Sequence, residues 1–200
     1  MVRICTLVLV LGLAGVGLTP NSLVDAAVWG RETPSEPVTA TTHLERGNAL
    51  HAKGDTNGAI AEYRQALSLK PDYADAHYNL GVVLEAKGDI DGAVSEDREA
   101  IRLEPGFAGG HANLASALEK KGDLEGAIAE YRVAVHLEPG NAAAHDAFGL
   151  LLRYVGDTEG SIAEFRAALR ARPQFAEAHN NLAMALKATG EPQNRRDAIL

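Results

Sequence analysis

Five histidines at a regular spacing are the first residues in this 200-residue chain that suggest chemistry. Each follows the previous one by 34 residues, and they are His43, His77, His111, His145 and His179. Imidazole nitrogen is a common metal ligand, and zinc requires its nitrogen ligands at about 2 Å. A regular spacing indicates a repeated unit, and packed helices lie about 8–10 Å apart, so equivalent histidines of successive helical units cannot reach one ion. We therefore predict no metal site and a half-buried structural role for these residues.

Sequence motifs of the common catalytic sites do not occur in the chain. There is no phosphate-binding loop of the form G-x-x-x-x-G-K-[ST], no H-E-x-x-H zinc motif and no G-x-S-x-G nucleophile elbow. Paired acids act in catalysis only where a cleft shifts their pKa values, and no spacing points to such a pair. The single cysteine, Cys5, excludes an intramolecular disulfide and a cysteine metal site. The sequence therefore predicts no catalytic residue, no cofactor and no enzyme activity.

The composition favours closely packed helices and argues against nucleic acid as a partner. Hydrophobic residues make up 46% of the chain but aromatic residues only 5%, and alanine and glycine supply much of the apolar share. Such a mixture suits helix packing better than a sandwich or barrel, which needs β-branched and aromatic side chains. The net charge of −8 opposes binding to phosphate backbones, which requires clustered basic residues. It favours neutral or basic partners.

Residues 1–26 have the features of an export signal. Arg3 precedes an uncharged run from Ile4 to Leu18, and small residues follow it, with a cleavage position after Ala26. A membrane anchor formed by residues 4–25 is the alternative, because about 20 apolar residues span a bilayer. The sequence thus predicts a periplasmic or secreted protein, or a membrane-anchored protein if the segment is not cleaved. Contact with a membrane is expected only through this segment.

A repeat of 34 residues organises the chain beyond a flexible linker at residues 27–39. The linker is rich in Pro, Thr and Ser and shows no helical periodicity. Two further markers share the spacing of the histidines, namely Pro71, Pro105, Pro139 and Pro173, and the pairs Gly54-Asp55, Gly88-Asp89, Gly122-Asp123 and Gly156-Asp157. Three independent markers in one register show that the repeat is real.

Each repeat is predicted to contain two helices joined by a short turn. Residues 74–87 carry apolar side chains at helical spacing, and Gly88 can adopt the left-handed conformation that ends a helix. Asp89 then offers its carboxylate to the free N–H groups of a second helix over residues 90–103. Pro105 cannot continue that helix. The short connection forces the two helices antiparallel, and the pairs must stack to bury their apolar faces.

Small and aromatic residues recur at fixed offsets within each unit. A Leu-Gly-like pair occurs as Leu80-Gly81, Leu114-Ala115, Phe148-Gly149 and Leu182-Ala183; small residues occur as Ala59, Ala93, Ala127 and Ser161 and as Ala66, Ala100, Ala134 and Ala168; an aromatic residue occurs as Tyr63, Tyr131 and Phe165. This pattern resembles the tetratricopeptide-repeat (TPR) family. The resemblance implies an all-α fold, a right-handed α-solenoid of stacked antiparallel helix pairs. It divides the chain into repeats at residues 40–73, 74–107, 108–141 and 142–175, with a partial fifth repeat and a C-terminal cap at residues 176–200.

Two features stand out against this pattern. Asp97 stands where the other full units have an aromatic residue, and a carboxylate in a helix contact must be solvated or paired. We therefore predict that the second repeat is the weakest joint of the stack. Glycines also recur in the first turn of each second helix, as Gly58, Gly92, Gly126 and Gly160. Close approach of a neighbouring group and inheritance through duplication both explain them.

In TPR proteins the first helices of the repeats line a concave groove that holds the partner, and the resemblance transfers this role to equivalent positions here. The predicted groove residues are Asn48, Tyr78, Asn79, Val82, Glu85, Asn113, Ser116, Glu119, Arg153, Asn180 and Asn181. Asn79, Asn113 and Asn181 share one position and resemble the asparagine ladder in the repeats of O-GlcNAc transferase. An amide both donates and accepts, so these side chains suit the backbone of an extended peptide. Hydrogen bonding within the groove or to water is the alternative.

The cations of the carboxylate-clamp TPR proteins, which hold chaperone C-termini, are missing. Their pattern has Lys or Arg where this chain has Leu44, Gly109 and Asn113, so we predict no clamp function. The prediction is a non-enzymatic scaffold or adaptor of the cell envelope that binds an extended peptide or partner helix of neutral to basic character. An accessory or regulatory repeat module of a glycosyltransferase-type or envelope-assembly complex is the alternative. Four full repeats and a partial fifth suffice for a stable stack, so a monomer is expected.

Overall fold

The computed structural model describes residues 38–189 of the chain. The predicted export segment at residues 1–26 lies outside this range, as do most of the linker and residues 190–200 of the predicted cap. Within residues 38–189, no helix has the length and apolar character needed to span a membrane.

Nine α-helices and no strand make up the described part of the chain. They are α1 (Ala40–Ala52), α2 (Thr56–Leu69), α3 (Ala74–Lys87), α4 (Ile90–Leu103), α5 (Ala108–Lys121), α6 (Leu124–Leu137), α7 (Ala142–Tyr154), α8 (Thr158–Ala171) and α9 (Ala176–Thr189). Each odd-numbered helix opens a predicted repeat and, from α1 to α7, packs against the even-numbered helix that follows it. Successive pairs also pack on one another, which confirms the predicted all-α solenoid.

Glycine and aspartate set the boundary between the two helices of a pair. Gly88 has a φ of 87°, in the left-handed region, and its N–H bonds to the carbonyl of Glu85 at 2.9 Å. Asp89 accepts a hydrogen bond from the backbone N–H of Gly92 at 3.1 Å and so caps α4. The same aspartate-to-glycine cap recurs at 2.9, 3.0 and 2.9 Å in the other three pairs. A Cβ on any of these recurring glycines would lie against the capping carboxylate, which supports close approach as the reason for them.

Small residues allow the paired helices to pack closely. Ala59, Ala93 and Ala127 are completely buried, and Ser161 at the equivalent position donates its Oγ hydrogen bond to the carbonyl of Thr158 at 2.7 Å. One hydrophobic cluster extends through helices α1 to α7, and a second joins α8 to α9. This packing holds the first helices of successive repeats side by side, where their outward faces form one surface.

The second repeat differs from the fourth at the centre of its helix contact. In the fourth repeat the ring of Phe165 packs over Gly149, where the missing Cβ leaves room for it. In the second repeat the carboxylate of Asp97 lies against Gly81 instead. Asp97 is fully buried, and neither of its oxygens has a hydrogen-bond partner among residues 38–189.

The surroundings of Asp97 favour its protonated form. Burial raises the pKa of this carboxyl to about 8, and the charges of Glu85 and Glu96 add to the effect. At neutral pH the folded protein therefore holds a proton here that a solvated aspartate would have released. This unpaired carboxyl of Asp97 is the physical reason to expect that the second repeat is the weakest joint of the stack.

Candidate partner-binding groove

Three first helices, α3, α5 and α7, share a cavity of about 300 Å³. It is lined by Tyr78, Gly109, Ala112, Asn113, Ser116, Tyr131, Asn141, Ala143, Ala144 and Ala147. We call this space the alanine cavity, because glycine and alanine occupy most of the positions that face it from α5 and α7. Tyr78, Asn113 and Ser116 were predicted as groove residues, and the structure brings all three to this cavity.

The predicted amides of the groove differ in whether they already have partners. Asn79 donates from Nδ2 to Asn48 Oδ1 at 3.2 Å, and the hydroxyl of Tyr63 donates to the same oxygen at 2.9 Å. Asn113 has a buried Nδ2 group that makes no hydrogen bond of good geometry in the part of the chain that the structure describes. The hydroxyl of Tyr78 lies beside this amide: burial raises the pKa of Tyr78, and the contact with Asn113 partly offsets this effect. A buried donor left unsatisfied costs about 1–3 kcal/mol. Asn113 is therefore the amide best placed to gain from a partner's acceptor.

Asn181 is engaged inside the stack instead of facing the groove freely. Its side chain is buried, and Nδ2 lies 3.0 and 3.3 Å from the two carboxylate oxygens of Asp146. Burial raises the pKa of Asp146, and the hydrogen bond from Asn181 partly offsets this effect. Hydrogen bonding within the protein, instead of to a partner, is the alternative that the sequence left open for Asn79, Asn113 and Asn181. The neighbouring Asn180 is exposed.

Two glutamates give the middle of the groove a negative charge. Oε1 of Glu85 accepts a hydrogen bond from the hydroxyl of Ser116 at 2.7 Å and lies 2.6 Å from the ammonium of Lys120. Burial raises the pKa of Glu119, the charge of Lys120 lowers it in part, and the charge of Glu85 raises it further. Glu119 also lines a second cavity of about 280 Å³ with Tyr154. We call Glu85 and Glu119 the acidic centre.

Tyr131 lines the alanine cavity, although the sequence identified it only as the aromatic position of its repeat and not as a groove residue. It lies on the second helix α6, is 4% exposed, and stacks on Phe148 with ring centroids 5.9 Å apart. Its side chain starts on the second helix of its repeat and extends between the helices as far as the cavity. Burial raises the pKa of its hydroxyl, and the charges of Glu119 and Glu85 add to this. The aromatic position of a repeat was the available signal, but it does not indicate how far a ring extends.

The groove changes its charge toward the fourth and fifth repeats. Arg153 and Lys187 occupy the position that Glu85 and Glu119 hold in the second and third repeats. The first helices also carry apolar side chains. The predicted groove residue Val82 is half-buried, and Leu150, Tyr154 and Met184 are exposed. The groove surface is thus acidic along α3 and α5, and basic and partly apolar along α7 and α9.

The repeated histidines link helices within each repeat. Nδ1 lies 2.6 Å from a glutamate Oε2 in the pairs His43–Glu62, His77–Glu96, His111–Glu130 and His145–Glu164. Nε2 of His111 also lies 3.1 Å from the carbonyl oxygen of Pro105, and His77, His145 and His179 make the equivalent contact. His111 and His145 are buried, more deeply than predicted, because the glutamate and the turn cover both ring nitrogens. Residues 38–189 contain no group of three side chains placed to hold a metal.

Family comparisons agree with this architecture. The tetratricopeptide-repeat family matches residues 98–142 and 147–198, a second tetratricopeptide-repeat family matches residues 74–107, and a TPR repeat family matches residues 47–88. The chain belongs to the tetratricopeptide-repeat family. Repeats of these families typically serve as non-catalytic scaffold modules. No curated protein sequence matches the chain.

Solved structures of other TPR proteins have the same fold. The crystal structure of the MamA protein matches with a TM-score of 0.69 and 23% identity over 81% of this chain and 87% of that one. YrrB, a TPR protein with an unusual peptide-binding site, matches with a TM-score of 0.63 and 24% identity over 80% of this chain and 81% of that one. O-GlcNAc transferase of Thermobaculum terrenum matches with a TM-score of 0.63 and 25% identity over 66% of this chain but 26% of its own.

Proposed function

We propose that this TPR protein is a scaffold that binds an extended segment of a partner protein along α3, α5 and α7. The alanine cavity, with the buried Nδ2 donor of Asn113 in its wall and no well-placed acceptor for it, is the observation that supports the proposal. A backbone carbonyl of a bound segment is the kind of acceptor that this donor lacks. The glycines and alanines around it leave room for a backbone to approach the helices closely.

The chemistry along the groove describes the segment that would fit. Asn48 and Asn79 offer polar contacts at one end, and the acidic centre favours a neutral or basic stretch in the middle. Leu150 and Met184, both exposed, offer apolar contact at the other end. A segment of mixed polarity therefore suits this surface better than a uniformly apolar helix.

The test uses peptides selected from a random heptapeptide display library by the full-length protein. Asn113→Ala is expected to weaken the binding of a selected peptide by about 3- to 10-fold, because one hydrogen bond contributes about 0.5–1.5 kcal/mol. Gln65→Ala, which removes an exposed amide on α2, is the matched control and should leave the affinity unchanged. Failure to select any peptide, or equal affinity of Asn113→Ala and wild type, would contradict the groove assignment.

We also propose that the protein acts in the cell envelope, on the strength of residues 1–26. Intact-mass spectrometry of the protein purified from its native host tests this. A mass that lacks residues 1–26 supports export with cleavage, and a full-length chain in the membrane fraction supports the anchor formed by residues 4–25. A full-length chain in the cytoplasmic fraction contradicts both.

An accessory repeat module of a glycosyltransferase-type or envelope-assembly complex is the second candidate function. The similarity to O-GlcNAc transferase favours it, because the match covers 26% of that chain and so corresponds to one module of a larger protein. Purification of the tagged protein from envelope extract, in parallel with Asn113→Ala, distinguishes the two. A glycosyltransferase that copurifies with the wild type and is lost from the variant supports this candidate, and its absence from both removes the reason to prefer it.

A further inference from the structure

The alanine cavity has the shape and the walls to hold one long side chain. Its floor consists of small residues from α5 and α7, which include Gly109, Ala112 and Ala147. Tyr78 and Tyr131 add two aromatic rings to the walls. The small side chains leave a space of about 300 Å³ unfilled, and this space is available to a side chain of a partner. Apolar walls with aromatic rings suit the methylene stem of a long side chain and the cation at its end.

The acidic centre lies directly beside this cavity. Ser116 lines the cavity and donates its hydroxyl hydrogen bond to Glu85, so that glutamate is one contact away from the space. Glu119 lies three residues beyond Ser116 on α5, which is one helical turn further along the groove. The pKa of the Tyr131 hydroxyl, itself in the cavity wall, is raised in part by the charges of both glutamates. A cation in the cavity would therefore feel both negative charges.

Lys120 shows that the acidic centre accepts a cation. Its ammonium lies 2.6 Å from Glu85 Oε1, and its side chain is 53% exposed whereas that of Glu85 is 12% exposed. A half-exposed lysine on a flexible stem gains little from such a pair and can turn into solvent. Glu119 has no ion pair of its own among residues 38–189. The centre thus has more negative charge than its one neighbouring cation neutralises.

Asp97 lies behind this part of the groove, in the contact between α3 and α4. It is fully buried, and both carboxyl oxygens are without hydrogen-bond partners in the described residues. The carboxyl lies against Gly81 on α3, three residues after Tyr78 and four before Glu85, the two groove residues of that face. It therefore belongs to the helix contact and does not line the groove. The negative charge of the groove at neutral pH therefore comes from Glu85 and Glu119, and the protonated Asp97 adds none.

We propose that the alanine cavity and the acidic centre form a binding site for an arginine side chain of the bound segment. This inference rests on the proposed function and adds the residue type that the groove selects. Arginine suits the site better than lysine, because its planar guanidinium stacks on tyrosine rings and binds carboxylates with several donors at once. The acidic part of the site is confined to α3 and α5, since Arg153 and Lys187 replace the acids in the next two repeats.

The test compares selected peptides that differ only in one residue, the arginine that selection enriches. The same heptapeptide library is used with the full-length protein, and arginine is expected to be enriched at one position of the selected sequences. Replacement of that arginine by citrulline, which keeps the shape but removes the charge, should weaken binding by at least about 10-fold, and replacement by lysine by less. Selected peptides without enriched arginine would overturn the arginine site while leaving peptide binding in place. If no peptide is selected, both proposals fail.

Protein variants then place the effect at the acidic centre. Glu85→Gln/Glu119→Gln should remove the difference between the arginine and citrulline peptides, while the citrulline peptide binds with unchanged affinity and so reports that the groove is intact. Glu125→Gln/Glu159→Gln, which removes two exposed acids from α6 and α8, is the matched control and should keep the full difference. An arginine preference that persists in the first double variant would overturn the site.

Discussion

Replacement of Asp97 by phenylalanine is expected to stabilise the stack. The side chain lies where Phe165 packs over Gly149 in the fourth repeat, and Gly81 offers the same space in the second. Phenylalanine suits the place better than tyrosine, because the hydroxyl of Tyr63 is satisfied by Asn48 whereas Val82 stands at that position here. Tyrosine should therefore also stabilise the protein, but by less.

The magnitude follows from the state of the buried carboxyl. Its pKa of about 8 in the folded protein compares with 3.8 for the solvated group. At pH 7, about 3 units above the pKa of the solvated carboxyl, folding therefore requires this group to take up a proton. The uptake costs about 4 kcal/mol, at about 1.4 kcal/mol per unit. Burial of a phenyl ring adds about 1.5–3 kcal/mol, and repacking takes back about 1–3 kcal/mol. We expect a net gain of about 2.5–6 kcal/mol, or a Tm higher by about 5–24 °C.

The pH dependence distinguishes this mechanism from better packing alone. Because the folded pKa is higher than the unfolded one, the wild type loses stability as the pH rises from about 4 to about 8 and loses no more above that range. Thermal and urea unfolding followed by circular dichroism at pH 5, 7 and 9 measure the effect. The advantage of Asp97→Phe over wild type should be smallest at pH 5 and largest at pH 9. Asp97→Asn, which buries an amide that cannot ionise, is the control and should keep a constant difference from Asp97→Phe.

Two results would refute the reasoning about Asp97. One is an Asp97→Phe variant whose stability at pH 7 equals or falls below that of the wild type. The other is a stability difference between these two proteins that does not increase from pH 5 to pH 9. The first would mean that the second repeat has no room for a ring, and the second that the carboxyl is already solvated in the folded state.

Further predictions concern packing and the histidine contacts. Gly149→Ala would place a Cβ 2.6 Å from the ring of Phe165 and should lower the free energy of unfolding by about 1–3 kcal/mol in urea unfolding, whereas Gly140→Ala meets no atom within 4 Å and should have little effect. Glu130→Ala removes the oxygen 2.6 Å from Nδ1 of His111 and leaves a buried polar group unpaired. It should cost about 1–3 kcal/mol. A change below about 0.5 kcal/mol would show that water replaces the carboxylate there.

The helices of this protein could be predicted from the sequence because their signals are local. Gly88 and Asp89 end one helix and begin the next through bonds that reach only three to five residues along the chain. The prediction of helices at residues 74–87 and 90–103 is confirmed for that reason. The 34-residue spacing then implied stacking, since an isolated helix pair cannot bury its apolar faces.

The partners of the groove side chains could not be predicted in the same way. Asn79 and Asn181 share one position in the repeat, yet the first bonds to Asn48 and the second to Asp146. These contacts join residues 31 and 35 positions apart on different helices, and they depend on the local neighbours in each repeat. The sequence pattern supplies the position but not the distance to the neighbouring helix.

The histidines show what the sequence and the tertiary structure each determine. Their type and spacing were enough to exclude a shared metal ion, because one repeat separates each from the next. Only the tertiary structure decided that Glu130 and the carbonyl of Pro105 cover the two ring nitrogens of His111. Helix ends are fixed by bonds between near neighbours in the chain, whereas cavities and side-chain pairs arise from groups that meet only after the helices have stacked.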